Sequence, residues 1–297
     1  MLDHDLDVRV LRRVVALKRF SLFDGVELAE LATLAQNVVE SWLEPGDRLE
    51  PARAAMSFVI EGSLAAPGGA SYAAGDIVGG LELLAGRPSP ADVRAVTRTK
   101  ALRLDAEDLF DVLDDNFGLL VATLRAVAGL AIARPQTSVD NQALDTSDPL
   151  GLVDRLLLLR RQAPFAGARI RALTSLAHAS TEMTWPSGTT VVRAGELATS
   201  SYIIVEGSAR ASSSAEMPPL RAGNTLGLLE TLAGHSHPET LEAVTLVRAL
   251  ASPQAALLDV LEDHSDLGFA VLATLAADIL DQTAGAGLLP GAQGLRD

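Results

Sequence analysis

The sequence predicts an α+β fold of two tandem antiparallel β-rolls, jelly-roll-like in topology, each flanked by N- and C-terminal helices. Three observations lead to this prediction. An internal repeat covers nearly the whole chain of 297 residues. Within each copy, short apolar segments are separated by Gly and Pro. Both ends of each copy carry apolar residues at helical spacing.

The repeat is clearest over residues 75–86, which align without a gap on residues 223–234 at a separation of 148 positions. The same separation continues downstream through an Ala-Val-Thr and an Asp-Val-Leu triplet. Upstream, residues 58–63 align on residues 203–208 after small changes in loop length. Chance does not give so many identities at a fixed separation, so one structural unit is built twice.

Each copy begins with a short amphipathic helix and ends with two helices. Leu28, Leu31 and Leu34 mark the first helix by their spacing. Strands are predicted where short apolar segments are bounded by turn residues, at 37–43, 57–61, 63–66, 92–96 and 101–104. The closing helices are predicted at 106–113 and 117–133, and at 253–261 and 266–280 in the second copy.

Composition divides the chain at one linker. Residues 134–149 are rich in Pro, Ser, Thr, Asp, Asn and Gln, which is typical of a linker. The sequence therefore predicts a first domain at 1–133, a second domain at 150–282 and a flexible tail at 283–297. Apolar residues make up 48% of the chain, which is enough to fill two cores.

Charge and composition exclude several function classes. The formal net charge of −14 opposes binding to a phosphate backbone, so we expect no nucleic-acid partner. Cysteine is absent and no basic-then-apolar leader opens the chain, which favours a cytoplasmic location. The longest apolar stretch, 117–133, contains Arg125 and is shorter than the roughly 20 residues of a spanning helix, so we expect no membrane insertion.

Five short motifs follow one another in the first copy: Leu-Phe-Asp-Gly at 22–25, Pro-Gly-Asp at 45–47, Phe-Val-Ile-Glu-Gly-Ser at 58–63, Gly-Asp-Ile-Val-Gly at 75–79 and Ala-Leu-Arg-Leu-Asp at 101–105. In this order and spacing the chain resembles the cyclic nucleotide-binding domain family, which includes the cAMP receptor protein and the regulatory subunit of cAMP-dependent protein kinase. The resemblance implies a β-roll in each copy. It also implies a phosphate-binding cassette, which is a short helix and loop between two strands.

The family's cassette pattern resembles Phe-Gly-Glu-Leu-Ala, followed about nine residues after the Glu by Arg-x-Ala. The chemistry explains these residue types. Helix N-terminal amides and the guanidinium replace the water around a buried cyclic phosphate. The Glu accepts a hydrogen bond from the ribose hydroxyl, and the Gly lets the main chain approach the ligand closely.

Both cassettes of this chain depart from that pattern at the charged positions. The cassette residues are Gly79, Gly80, Leu81, Ser89 and Ala91 in the first copy, and Gly227, Leu228, Leu229, His237 and Glu239 in the second. Gly80 and Leu228 stand at the Glu position, and Ser89 and His237 stand at the Arg position. Removing one partner of a buried charge pair costs roughly 2–5 kcal/mol of binding, so we expect neither copy to bind cAMP or cGMP tightly.

Two charged residues near the first cassette are candidates to replace the missing groups. Arg87 lies two positions before Ser89, and we expect it to be a solvated loop residue. Glu82, which is matched by Glu230, lies two positions past the missing Glu. That separation turns a side chain by about 200° on a helix, so we expect both glutamates to point away from the ligand and to be exposed or paired locally.

The His-Ser-His segment 235–237, followed by Glu242, resembles the metal-binding motif of cupins, another β-roll family. Two imidazoles two positions apart on a strand face the same side, as a metal site requires. However, His178 and His264 fall on predicted helices, and the first copy has no equivalent histidine. A cupin-like metal enzyme is therefore a remote alternative, and the sequence predicts no catalytic residues, no metal and no cofactor.

The sequence favours a non-enzymatic regulatory or scaffolding protein that acts through protein–protein contacts. The alternative is a small-molecule sensor whose pockets are remodelled for a less anionic ligand. The closing helices at 117–133 and 266–280 carry little charge, and we expect them to pack the rolls together or to form a homo-oligomer. The basic cluster of Arg9, Arg12, Arg13 and Lys18 is expected to pair with the chain's own carboxylates.

Overall fold

The computed structural model describes residues 2–49, 55–67, 69–133, 146, 148–212 and 218–285. Most of the predicted linker, and the predicted tail beyond residue 285, lie outside these ranges. The helices are Leu2–Leu17 (α1), Leu28–Asn37 (α2), Gly80–Leu84 (α3), Ala106–Asp115 (α4), Phe117–Ile132 (α5), Leu152–Arg161 (α6), Ile170–Ala179 (α7), Leu228–Ala233 (α8), Gln254–Asp263 (α9) and Ser265–Gly285 (α10).

The strands of the first copy are Val39–Leu43 (β1), Ala55–Glu61 (β2), Ser63–Ala65 (β3), Ser71–Ala73 (β4), Ile77–Val78 (β5), Arg94–Ala95 (β6) and Thr99–Asp105 (β7). The strands of the second copy are Thr181–Trp185 (β8), Thr190–Val192 (β9), Ser200–Glu206 (β10), Ser208–Ala211 (β11), Leu220–Arg221 (β12), Thr225–Leu226 (β13), Leu241–Ala243 (β14) and Val247–Pro253 (β15).

The chain forms two compact units with one β-roll in each. The first unit comprises the described residues up to Thr123 and the part of α10 from Leu272 onward, and the second runs from Leu124 to Val271. These units differ from the predicted domains in two helices, since α5 after Thr123 belongs to the second unit and α10 after Val271 belongs to the first. The predicted borders at 133 and 150 remain a prediction.

Two antiparallel sheets face each other in each roll. In the first unit the strand orders are β1-β7-β2-β5 and β4-β3-β6, and Val59, Leu64, Tyr72 and Val93 fill the space between the sheets. The second unit has the orders β13-β10-β15-β8 and β12-β11-β14-β9. Each strand order of the first unit recurs in the second, which confirms the predicted α+β fold of two antiparallel β-rolls.

A glycine carries the chain from one sheet to the other in each roll. Gly62 follows β2 with φ 85°, and Gly207 follows β10 with φ 86°. A Cβ on Gly62 would overlap the carbonyl oxygen of Arg98, and a Cβ on Gly207 would overlap that of Leu246. No other residue fits this left-handed corner without moving the neighbouring strand.

The predicted elements are found with small shifts at their ends. All five predicted strands correspond to observed strands, and the four closing helices are α4, α5, α9 and α10. The strands β4 and β5 were not predicted, because two or three residues are too few for an alternating pattern to show.

Arg13 and Lys18, two residues of the predicted basic cluster, hydrogen-bond to main-chain carbonyls. Arg13 donates to the carbonyl of Ala35 near the end of α2 at 3.2 Å, where the helix dipole favours a cation. Lys18, which follows α1, donates to the carbonyls of Phe23 and Val26 at 3.1 and 3.0 Å. Burial opposes the lowering of the pKa of Glu40, to which Lys100 and the charge of Arg13 contribute. Arg13 thus interacts with a carboxylate as expected, whereas the hydrogen bonds of Lys18 go to carbonyls instead.

The closing helices α5 and α10 are covered within the chain. Leu120, Leu124, Leu267 and Leu272 are almost completely buried, and the large exposed hydrophobic residues of the described chain belong to other elements. A homo-oligomer through these helices thus remains a prediction without exposed apolar surface to support it.

Among the described helices, no single one is long and apolar enough to cross a membrane, although α4 and α5, bent by 114°, meet that test as a pair.

Candidate functional site

Each cassette helix starts from a glycine in the left-handed conformation. Gly79 precedes α3 with φ 77°, and Gly227 precedes α8 with φ 73°. A Cβ on Gly79 would lie 2.8 Å from the carbonyl oxygen of Ala55, and a Cβ on Gly227 would lie 2.9 Å from Cε1 of His237. The backbone conformation and the lack of space therefore both explain why the cassette keeps this glycine twice.

Ser89, at the Arg position of the first cassette, is tied to the neighbouring strand. Its Oγ donates to the carbonyl of Ala55 at 2.9 Å and accepts from the main-chain N–H of Ala55 at 3.5 Å. The hydroxyl thus satisfies both polar groups of the first residue of β2. It brings no positive charge to the cassette.

His237, at the Arg position of the second cassette, is 7% exposed. Its main-chain N–H donates to the carbonyl of Glu196 at 2.9 Å, and its carbonyl accepts from the N–H of Gly195 at 2.9 Å. The ring packs against Gly227, and Leu228 at the Glu position is buried and apolar. The second cassette thus has an aliphatic side chain where the resemblance implies a carboxylate.

The first unit contains a cavity of about 240 Å³ between the cassette and the strands β3 and β4. The cavity is lined by Ala66, Pro67, Ala70, Tyr72, Glu82, Pro88, Pro90 and Ala91. Of the predicted site residues, Ala91 lines the cavity. Gly79, Gly80, Leu81 and Ser89 lie outside its walls, and Leu229 and Glu239 of the second cassette are half-buried.

Glu82 lines the cavity. Because the Gly, Glu and Arg positions of the cassette lie outside the cavity walls, the prediction that Glu82 points away from a cassette ligand stays a prediction. That prediction took the direction of the cassette helix as fixed and considered only rotation about its axis. Because α3 has only five residues and starts from the left-handed Gly79, that glycine sets its direction. The third residue of the helix is thereby brought to the cavity wall.

The charge in this cavity is negative. Burial raises the pKa of Glu82, and a hydrogen bond from its own main-chain N–H opposes part of that rise. The pKa of Tyr72 is raised first by burial and then by the charges of Glu82 and Asp76. Both shifts mean that further negative charge is unfavourable at this place.

Arg87, the nearest candidate cation, is engaged elsewhere. Its guanidinium donates to both carboxylate oxygens of Asp281 in α10, at 2.7 and 2.9 Å. This bidentate pair lowers the pKa of Asp281, chiefly through the hydrogen bond. The expectation that Arg87 does not serve the pocket agrees with this arrangement, although the side chain is paired rather than simply solvated.

No metal-binding group supports the cupin-like alternative. Within the described ranges, no three His, Asp or Glu side chains lie together in a way that could hold a metal ion. His235 and Glu242 are exposed, whereas His237 is buried. Of this segment, the ring of His237 packs beside Gly227.

Sequence reasoning missed Tyr72 and the proline-rich part of the cavity wall. The signal was present but weak, because Tyr72 alternates with the exposed residues Ser71 and Ala73 as an inward-facing strand residue does. A strand of three residues does not stand out in a sequence. Pro88 and Pro90 line the cavity because of the path of the loop after α3, and the sequence does not show that path.

The half-buried carboxylate of Glu82 predicts that the stability difference between wild type and Glu82→Gln depends on pH. Because the pKa of Glu82 is raised in the folded state, its ionised form destabilises the protein above that pKa, and this cost disappears as the pH falls through it. We expect Glu82→Gln to raise Tm by about 2 °C or more near neutral pH, and the difference to shrink toward pH 4. Thermal unfolding followed by circular dichroism at several pH values measures this.

Glu230→Gln is the matched control, because Glu230 holds the same place in the first turn of α8. The substitution removes the same favourable interaction with the helix N-terminus. Equal Tm changes in the two variants, or a Glu82→Gln variant less stable than wild type near neutral pH, would contradict the assignment.

Comparisons with known proteins agree with this architecture. The family model described as "Cyclic nucleotide-binding domain" matches residues 48–116 and 182–264, which together make up about half of the chain. No curated protein matches. Among solved structures, the regulatory domain of Toxoplasma gondii PKA with cAMP is similar at 19% identity and a TM-score of 0.34, covering 93% of this chain and 97% of that chain.

Two further solved structures are similar at the same level. A regulatory subunit of a cAMP-independent protein kinase A from Trypanosoma brucei has 20% identity and a TM-score of 0.34, covering 96% of this chain and 91% of that chain. The N-terminal domain of a transcriptional regulator from Streptomyces coelicolor A3(2) has 23% identity and a TM-score of 0.40, covering 45% of this chain and 99% of that chain. On the family-model match in both halves, this chain belongs to the cyclic nucleotide-binding domain family, with two such domains in tandem.

Proposed function

We propose that this chain is a non-enzymatic regulatory protein whose two cyclic nucleotide-binding domains do not bind cAMP or cGMP tightly and which acts through protein contacts. The observation that carries the proposal is the charge of the first cavity. Glu82 lines this cavity, and the neutral Ser89 stands where the family has arginine. An anionic ligand in the cavity would meet the carboxylate of Glu82, and Ser89, which lies outside the cavity walls, offers it no guanidinium.

The free energy of binding a cyclic phosphate supports the proposed loss of cyclic nucleotide binding. A buried phosphate loses its hydration, and only a cation and amide donors can compensate for that loss. Loss of one partner of a buried charge pair costs roughly 2–5 kcal/mol, and each 1.4 kcal/mol is a factor of about ten in affinity. The carboxylate of Glu82 adds repulsion to that deficit. In the second domain, Leu228 and the buried His237 replace both charged family residues.

Calorimetry with cAMP and cGMP tests the proposal. We expect wild-type protein to show no binding tighter than about 10 µM. A triple variant, Gly80→Glu, Ser89→Arg and Glu82→Gln, rebuilds the family's charges in the first domain and removes the repelling carboxylate. We expect it to bind cAMP at least about tenfold more tightly than wild type, since the charge pair is worth more than 1.4 kcal/mol.

Two controls accompany this experiment. Gln36→Arg adds one positive charge on the exposed face of α2, away from the cavity, and should not change cAMP binding. At Gly80 an added Cβ meets only Cγ2 of Ile77 at 3.1 Å and Cε of Met56 at 3.6 Å, both at the ends of side chains. The substitution therefore fits with small shifts. Wild-type binding below 10 µM, or a triple variant no better than wild type, would refute the proposal.

Protein contact is supported by an apolar stripe that recurs on the first helix of each unit. In α1, Leu11 and Val15 are 62% and 60% exposed, and in α6, Val153 and Leu157 are 67% and 47% exposed. The two residues of each pair are four positions apart and so lie on one helix face. Large aliphatic side chains exposed at matching places in both units indicate a surface for a partner.

The α1 stripe fits a second copy of this chain. Two α1 helices packed antiparallel around a two-fold axis at the level of Arg13 bring Leu11 of one copy against Val15 of the other. The two stripes then cover each other and remove these exposed aliphatic side chains from water.

The oligomeric state tests this contact. We expect sedimentation velocity to show a dimer for wild type and a monomer for the double variant Leu11→Asp and Val15→Asp. The matched control places Asp at Val153 and Leu157 on α6, which should leave the dimer intact. A monomeric wild type at about 100 µM, or a control that dissociates the dimer instead, would exclude α1 as the contact.

A further inference from the structure

We propose that the cavity of the first domain binds a small organic amine, with the ammonium group against the carboxylate of Glu82. This inference rests on the proposed loss of cyclic nucleotide binding and supplies the same cavity with a ligand of opposite charge. A cationic metabolite would bind in the cavity, and the protein contact proposed above would respond to that binding.

The composition of the cavity wall suits such a ligand. Six of its eight lining residues are Ala or Pro, and the other two are Tyr72 and Glu82. Small apolar walls bind the hydrocarbon part of a ligand, and one polar group placed among them fixes its orientation. A carboxylate together with an aromatic ring is the combination that binds an organic ammonium, through an ion pair and a cation–π contact. The volume of about 240 Å³ limits the ligand to a small molecule.

The carboxylate of Glu82 is available for a ligand cation. Its hydrogen bond comes from its own main-chain N–H. Tyr72 on β4 interacts electrostatically with the acidic groups of Glu82 and Asp76. Arg87, the cation that follows α3 in the chain, is held by both oxygens of Asp281. In the part of the chain that the structure describes, no cationic side chain forms an ion pair with Glu82.

An amine would remove an energetic cost that the free protein bears. A carboxylate that is partly removed from water and lacks a cation destabilises the fold, as its raised pKa indicates. An ammonium group in the cavity would supply that cation. A perturbed carboxyl group in a cavity is a typical feature of a binding site.

Binding of defined amines to the full chain tests the inference. The probes are tyramine, phenethylamine and putrescine, and the neutral comparison is tyrosol, in which a hydroxyl replaces the amine of tyramine. Amide signals of Ala66, Ala70 and Tyr72 in ¹H–¹⁵N NMR spectra report on the cavity wall. At about pH 8 we expect saturable shifts with at least one amine at a Kd below about 1 mM, and at least tenfold weaker binding of tyrosol.

Charge variants identify the responsible group. Glu82→Gln should weaken amine binding at least about tenfold, whereas Glu230→Gln at the matching place in α8 should leave it unchanged. Because protonation removes the charge of Glu82, amine binding should also weaken as the pH falls through its raised pKa. Tyr72→Phe keeps the ring and should retain binding.

The outcomes separate this inference from the proposed function. The inference fails if none of the three amines gives saturable shifts up to about 10 mM, or if binding is the same in Glu82→Gln. It also fails if tyrosol binds as tightly as tyramine. A parallel titration with cAMP reports on the proposed function alone, since cAMP shifts at the same amides that saturate with a Kd below about 10 µM would refute that proposal whatever the amines do.

Discussion

A cyclic phosphate can leave water for a protein interior only where fixed donors and a cation replace its hydration. The family fold supplies a helix N-terminus for this purpose, and the arginine of the cassette supplies the charge. In this chain the fold is present twice, but both positions for the charge hold other residues. Ser89 bonds to the start of β2, and His237 packs against Gly227 inside the second roll. The proposed function rests on this separation of fold and charge.

The glycines show why the fold persists without the charges. Gly62 and Gly207 turn the chain between sheets, and Gly79 and Gly227 start the cassette helices. A side chain at any of these four places would meet a neighbouring backbone or ring. These constraints come from the path of the chain and do not depend on a ligand. Both rolls form with other residues at the charged positions of the cassette.

The fold could be predicted almost completely from the sequence, because the repeat and the glycine-bounded strands are local signals. The cassette could be located for the same reason, since Gly79 and Gly227 lie in its most regular part. The cavity could not be predicted. The side-chain direction of Glu82 depends on the direction that Gly79 gives to a five-residue helix, and the pairing of Arg87 depends on Asp281, 194 positions away. The hydrogen bonds of Arg13 and Lys18 to carbonyls could not be predicted either, because their acceptors lie in neighbouring segments, at Ala35 near the end of α2 and at Val26 before α2.

We infer that neither cassette offers a fixed cation to a cyclic phosphate. A crystal structure of the full chain with free cAMP at about 0.1 mM tests this, because that concentration fills about nine-tenths of a site with a Kd of about 10 µM and leaves a millimolar site nearly empty. We expect no ordered phosphate next to Ser89 or next to His237. Clear density for a cyclic phosphate at either residue would show that the cassette binds it tightly without a fixed cation and would overturn this inference.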